Sequence, residues 1–174
     1  NNVITGEIGT VNLSLNVTKV LPNTTSVDNI LVTSFNELSS NLNNKCLYTD
    51  GELATCQLYK IVLTNNADGV NTKVVGSVSF NNATSPNLSW IKLDNYDAST
   101  TYTASSIGGD KHKASSTFTN FSNAYLLKKS NSVTYYLLVW VDESEDEQTD
   151  DGSFTGTVRF LDENGKGVTS TFGA

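Results

Sequence analysis

A chain of 174 residues with 37% hydrophobic residues is long enough for one buried core, and its net charge of −7 repels phosphate backbones, which argues against a nucleic-acid partner. Its pI of about 4.5 argues equally against an anionic lipid surface. No apolar run nears the roughly 20 residues of a membrane span, so none is expected in the mature chain.

The opening Asn1-Asn2-Val3-Ile4-Thr5-Gly6 is polar and strand-like, as in an exported chain whose leader has been removed or a cytosolic chain without its initiator Met, so the start alone decides nothing. Residues 1–9 read as an extended segment carrying Val3, Ile4 and Ile8, set off by Gly9 from a single domain over 10–174. Residues 10–20 alternate, with Val11, Leu13, Leu15 and Val17 on one face and Asn12, Ser14, Asn16 and Thr18 on the other, a half-buried strand. Leu21-Pro22-Asn23 ends it. Ser34-Phe35-Asn36-Glu37 has capping-box spacing, and Phe35, Leu38 and Leu42 follow at helical intervals, which predicts one short helix near 34–42.

Cys46 and Cys56 bracket Asp50-Gly51, a tight-turn signal. In an oxidising compartment these cysteines would staple a hairpin as an intrachain disulfide; the plainer reading is two unrelated buried thiols. A zinc site would need more ligands than two cysteines and the distant His112. Residues 57–64 form the next expected strand, with Tyr59, Ile61 and Leu63 inward, and residues 65–69 turn the chain. Residues 73–80 follow, with Val74, Val78 and Phe80 inward, and then a short strand at 90–93. Residues 94–123 are rich in Ser, Thr, Gly and Asn and read as loops with one helical turn near 101–106.

Residues 132–141 are the most hydrophobic stretch. Val133, Tyr135, Leu137, Val139 and Val141 line one face, and Tyr136, Leu138 and Trp140 the other, so the strand is central or covered by something else. Its two apolar faces make Tyr135, Leu137, Val139 and Trp140 candidates for a groove that one domain does not fill alone. Residues 154–161 and 168–172, joined at Asn164-Gly165, predict a closing hairpin. The expected fold is all-β, a jelly-roll-like antiparallel β-sandwich with one short helix.

Seven carboxylates crowd residues 142–151. Calcium is the natural hard cation for such oxygen ligands, with Asp142, Glu145, Asp146 and Asp150 as the candidate set. The plainer reading is a solvated hairpin tip. A glycosidase pair would need a cleft and opposed carboxylates. His112 lies between Lys111 and Lys113, a poor setting for a triad base, and no nucleophile elbow, phosphate loop, zinc-protease helix or dinucleotide fingerprint occurs. The chain is therefore not expected to be an enzyme, and no cofactor is implied beyond the calcium option. Six Asn-x-Ser/Thr sequons occur where random order of this composition gives about five. Asn12 and Asn16 share the polar face of their strand and are the glycosylation candidates.

The run Tyr135-Tyr136-Leu137-Leu138-Val139-Trp140-Val141, the acidic stretch with Gln148, Asp151-Gly152-Ser153-Phe154-Thr155-Gly156-Thr157-Val158, the ending Gly167-Val168-Thr169-Ser170-Thr171-Phe172 and the Cys46…Cys56 hairpin running into Gln57-Leu58-Tyr59-Lys60-Ile61 resemble surface proteins of Gram-positive-type bacteria. In outline this group is similar to the TasA/camelysin family of extracellular fibre proteins. The resemblance covers about half of the chain and is diffuse over the first 45 residues. It implies a secreted or cell-surface location, a jelly-roll-like sandwich, and a helical or linear homopolymer in which one subunit's N-terminal strand completes its neighbour's sheet. Val3, Ile4 and Ile8 would then be the donor residues. The rival expectation is a monomeric adhesin that recognises glycan or host protein through polar loops.

Overall fold

Period-two alternation makes this chain a succession of strands, and the computed structural model arranges them as two facing sheets. It describes residues 2–8, 11–21, 30–33, 56–66, 72–81, 88–93, 96, 111–122, 125–127, 131–142, 151–152, 154–162, 165 and 167–173. In chain order the strands are β1 (Asn2–Ile8), β2 (Val11–Leu21), β3 (Ile30–Thr33), β4 (Gln57–Asn65), β5 (Thr72–Asn81), β6 (Leu88–Leu93) and β7 (His112–Lys113). They continue as β8 (Thr119–Asn120), β9 (Tyr125–Leu127), β10 (Ser132–Asp142), β11 (Asp151–Gly152), β12 (Thr155–Leu161) and β13 (Gly167–Gly173). No helix occurs among the described residues; the helix expected near 34–42 and the helical turn near 101–106 fall outside them.

The larger sheet holds eight strands around β10. β10 pairs antiparallel with β4 along one edge and with β6 along the other, and β2 and then β1 extend the sheet beyond β4. Where β4 begins, at Gln57 opposite Val139, its place beside β10 passes to β3, which runs parallel and sets Val32 opposite Val141. The smaller sheet runs β13-β12-β5, and β8 and β9 share the remaining edge of β5.

The main core lies between the sheets. Leu13, Leu15, Val17, Tyr59, Ile61, Leu63, Trp90, Leu137 and Val139 face Val74, Val78, Phe80, Val158, Phe160, Val168 and Phe172. Fully burying a side chain of this size stabilises by about 1.5–3 kcal/mol. The opposite face of β10 is dry as well: Cys56, Leu58, Ile91, Leu93, Leu138 and Trp140 form a second buried cluster, with Val20, Tyr96 and Tyr136 packed against it. The two-faced strand expected at 132–141 is thus central and covered on both sides.

Two expectations are corrected here. The groove assigned to Tyr135, Leu137, Val139 and Trp140 is not one groove: the first three pack with the inter-sheet core and Trp140 lies in the opposite cluster. Leu137, Val139 and Trp140 are each 0% exposed, so the chain itself fills the space around them. The segment carrying Val3, Ile4 and Ile8 does not stand apart from its own domain. β1 pairs with β2 in unbroken antiparallel register from Asn2 opposite Val17 to Ile8 opposite Val11. The side-chain alternation of β2 is complete without β1, but its backbone has two edges; β4 satisfies one, and seven residues across a two-residue link satisfy the other at small loop-closure cost.

Two glycines let aromatic rings close the smaller sheet. Gly156 pairs between Phe80 and Phe172, and a Cβ on it would collide with the Phe172 ring. Gly76 pairs opposite Phe160, and a Cβ there would meet the rings of Phe160 at 2.6 Å and Phe121 at 2.7 Å. The rings take the vacated space in T-shaped contacts, Phe80 with Phe172 at 5.7 Å and Phe121 with Phe160 at 5.6 Å. Gly156→Val is therefore expected to destabilise the fold by about 1–3 kcal/mol through overpacking. Urea unfolding monitored by tryptophan fluorescence measures this, and an unchanged midpoint would show that Phe172 relocates freely.

Candidate functional site

The two lateral sides of the sandwich are built differently. On one side residues 111–122 strap the sheets together. His112 and Lys113 pair with Trp90 and Ser89 of β6, and the His112 ring stacks on Trp90 with centroids 4.4 Å apart and planes at 21°. The Ala114 N–H donates to Leu88 O at 2.8 Å, which holds the strap to the larger sheet. One residue later Ser115 O accepts the Phe80 N–H at 2.8 Å, which holds it to the smaller one. β8 then pairs with β5, the Phe121 N–H donates to Gly76 O at 3.0 Å, and Ser122 Oγ accepts the Gly76 N–H at 2.9 Å. Ala114 and Phe121 enter the core beneath the strap.

The other side carries the two long edge strands. β1 pairs only with β2, and β13 only with β12, among the described strands. β13 runs within 8 Å, Cα to Cα, of both β1 and β2, so the two edges lie side by side without joining into one sheet. An edge strand presents a row of backbone donors and acceptors, a template for another strand.

The sequence-derived sites are dispersed over this frame. Asp142 closes β10 opposite Thr33 and Asp151 opens β11 opposite Leu31, so the two ends of the acidic segment flank β3. Glu145, Asp146 and Asp150 lie outside the described residues, and no group of three metal-ligating side chains occurs among those described. Asn16 is half-buried on the face of β2 away from the main core, and its Oδ1 accepts from Thr18 Oγ1 at 3.4 Å. Asn12 pairs by backbone with Glu7. Cys56 is fully buried beside Trp140 and no free cysteine occurs among the described residues, while Cys46 lies outside them.

Three features were not read from the sequence. The strap looked like loop because strands of two residues are too short to show a period. The His112 ring, weighed as a base, is held as a stacking partner. Arg159 was passed over although it is the chain's one arginine, which was the available signal.

Tyr59 is the most perturbed titratable group described. Its hydroxyl donates to Gln57 Oε1 inside the core, and its ring packs on Phe172 at 4.5 Å. Burial pushes the phenol far above its ordinary value of 10.0. The Gln57 Nε2 group is buried without a hydrogen-bond partner. This pair is buried within the core, so its role is structural.

No protein-family model matches the chain, and no curated protein matches it. Among solved structures it is similar to the ApaA protein of Bordetella pertussis, at 13% identity and a TM-score of 0.35, over 96% of this chain and 95% of that one. It is also similar to a family 123 glycoside hydrolase of Clostridium perfringens, at 12% identity and a TM-score of 0.38, over 91% of this chain and 27% of that one. Likeness at this level carries no argument about what the chain does. No helix among the described residues is long and apolar enough to cross a membrane.

Two outcomes follow from these side chains. The folded-state pKa of Tyr59 lies above its unfolded value, so its contribution to stability is complete below about pH 10 and falls as pH rises beyond that, by at most about 1.4 kcal/mol per pH unit. Tyr59→Phe should be less stable at neutral pH, because the Gln57 amide loses its partner, yet lose stability less steeply above pH 10. Urea unfolding across that range measures both, and equal alkaline slopes would remove Tyr59 as the cause. Alkylation and intact-mass measurement of freshly isolated protein should show Cys46 and Cys56 unmodified until reductant is added; two alkylated thiols without reductant would end the disulfide proposal.

Proposed function

We propose that the chain is a structural subunit of an extracellular filament or biofilm matrix. Its sandwich is jelly-roll-like and polymerises by exchange of the N-terminal strand between neighbours. The observation that carries this reading is the state of β1: an edge strand held by β2 alone and joined to it through Gly9-Thr10.

The same seven pairs can form in cis or in trans, so exchange of β1 conserves its ladder and adds whatever contact the two bodies make. A link of only two residues, Gly9-Thr10, favours this, because a short connection invites exchange of the strand it carries. The acceptor is the edge of β2, not the covered faces of β10. The smaller sheet places β13 beside that edge, so an incoming strand meets a formed wall. The strap keeps the opposite side from the same fate by occupying both sheet edges. The resemblance to the TasA/camelysin fibre proteins supports strand donation, and the expected Cys46–Cys56 disulfide suits secretion.

The rival adhesin reading needs exposed aromatic platforms. Trp90 is 1% exposed and Trp140 0%, so neither tryptophan supplies one.

The test locks β1 in cis. Thr5 and Ser14 face each other across the β1–β2 pair, so Thr5→Cys with Ser14→Cys should oxidise to a cross-strand disulfide. The oxidised variant should stay folded and monomeric by size exclusion. Reductant should restore filaments, seen by negative stain, to the level of the parent chain in the same reductant. Filaments forming unchanged from the oxidised variant would exclude strand exchange. A parent chain that stays monomeric under all assembly conditions would end the filament reading.

A further inference from the structure

Arg159 lies on the outward face of β12, opposite Thr169 of β13 and Ser77 of β5. Its guanidinium carbon sits 3.6 Å from the centroid of the Phe118 ring. A cation held this close over an aromatic face is attracted to it and fixed in orientation. Phe118 belongs to the strap, so the stack also pins the strap to the smaller sheet. The residues that share this face at the Arg159 row, Thr169, Ser77 and Asn120, are neutral. Arg159 Nε is buried without a hydrogen-bond partner, and no carboxylate pairs with the guanidinium among the described residues. The chain's one arginine, in a protein of net charge −7, thus has no anion beside it among the described residues.

The geometry points to Arg159 and Phe118 as a docking plate for a carboxylate of a second copy of this chain, supplied by its acidic segment 142–151. This rests on the filament reading above and names a second contact between its subunits. A guanidinium presents paired N–H donors in a rigid plane that fits a carboxylate two-to-two, and the Phe118 ring already holds that plane, so little ordering cost remains on binding. A single arginine among hydroxyl side chains suits one carboxylate, not a dense polyanion. The matching anion is in the chain: residues 142–151 carry seven carboxylates and no Lys or Arg. The segment leaves the larger sheet at the end of β10 and re-enters it at β11, whereas Arg159 is on the smaller sheet. In a filament the neighbour's segment is presented at high effective concentration, which makes a weak contact count.

The test is binding of a synthetic peptide of residues 142–151 to the whole protein, by isothermal titration at low ionic strength. Arg159→Gln and Phe118→Ala should each weaken binding, Arg159→Gln by about tenfold. Arg159→Lys should recover only part, because an ammonium lacks the fork. A peptide with all seven carboxylates replaced by the matching amides should bind as poorly to the parent protein, an arm that does not depend on how the variants fold. Added salt should weaken all of these complexes. Equal binding by parent and Arg159→Gln, or no binding of the peptide by the parent, would overturn the proposal. So would binding of a polyuronate in place of the peptide, which would give the plate to an acidic glycan. None of these results bears on the locked-strand experiment, so the plate can fail while strand exchange stands.

Discussion

Strand β10 has apolar side chains on both faces, and the rest of the fold is arranged to keep both dry. Antiparallel sheets usually leave one face to water. Here Leu137 and Val139 meet the smaller sheet while Leu138 and Trp140 meet the second cluster, and all four are fully buried. A strand that needs cover on two faces must also have neighbours on two edges, or its backbone polar groups would be stranded in an apolar surround. β4 and β6 supply them. Strands with one polar face lie farther from β10. β2 is the clearest: Leu13, Leu15 and Val17 are buried, and the residues between them are half-buried.

The perimeter then becomes the place where chemistry between molecules is decided. On the strap side, each sheet edge is occupied by a short piece of the same polypeptide, and Ala114, Phe121 and the His112–Trp90 stack anchor it from within. On the β1–β13 side, two seven-residue strands end the sheets, each with a single strand neighbour among the described strands. Proteins that must avoid polymerising blunt such edges with charge, proline or bulges. β13 carries none of these: Gly167-Val168-Thr169-Ser170-Thr171-Phe172-Gly173 has no charged residue and no proline.

What the sequence revealed followed from strand length. β2, β4, β5, β10, β12 and β13 run seven residues or more, enough for alternation to declare face and register, and their inward residues were read correctly from Leu13 to Phe80. β3, β7, β8, β9 and β11 run two to four residues, below the reach of any periodic signal, and they were passed over. The pairing of β1 with β2 within one chain is illegible for a different reason. Side-chain pattern reports which face of a strand is buried, but it says nothing about which edge is satisfied, and edges decide cis or trans pairing. The two-faced pattern of β10 was legible, yet two apolar faces can mean a groove or a centre; packing resolved it, because Trp140 and Val139 point to opposite clusters. Arg159 carries no periodic signal, and its setting over Phe118 joins residues that are 41 apart in sequence and on different elements.

The two proposed contacts differ in what they can tolerate, and this assigns them different tasks. Backbone pairing of β1 is short-ranged, keeps its register by hydrogen bonds, and is little screened by salt. The Arg159–carboxylate contact is half-exposed and screened within about 10 Å at ordinary ionic strength. Each copy carries a net charge of −7, so copies repel at long range, and only contacts that form at close approach can hold them together. In the proposed filament strand exchange would supply that hold and leave two bodies free to swivel about the connection between them. A second, weaker contact on another face removes the swivel. Both contacts are heterologous, one patch meeting a different patch, so repetition generates an open chain unless the rotation happens to close a ring. In the proposed filament the donor strand would therefore set whether subunits join, and the arginine plate the angle at which they do.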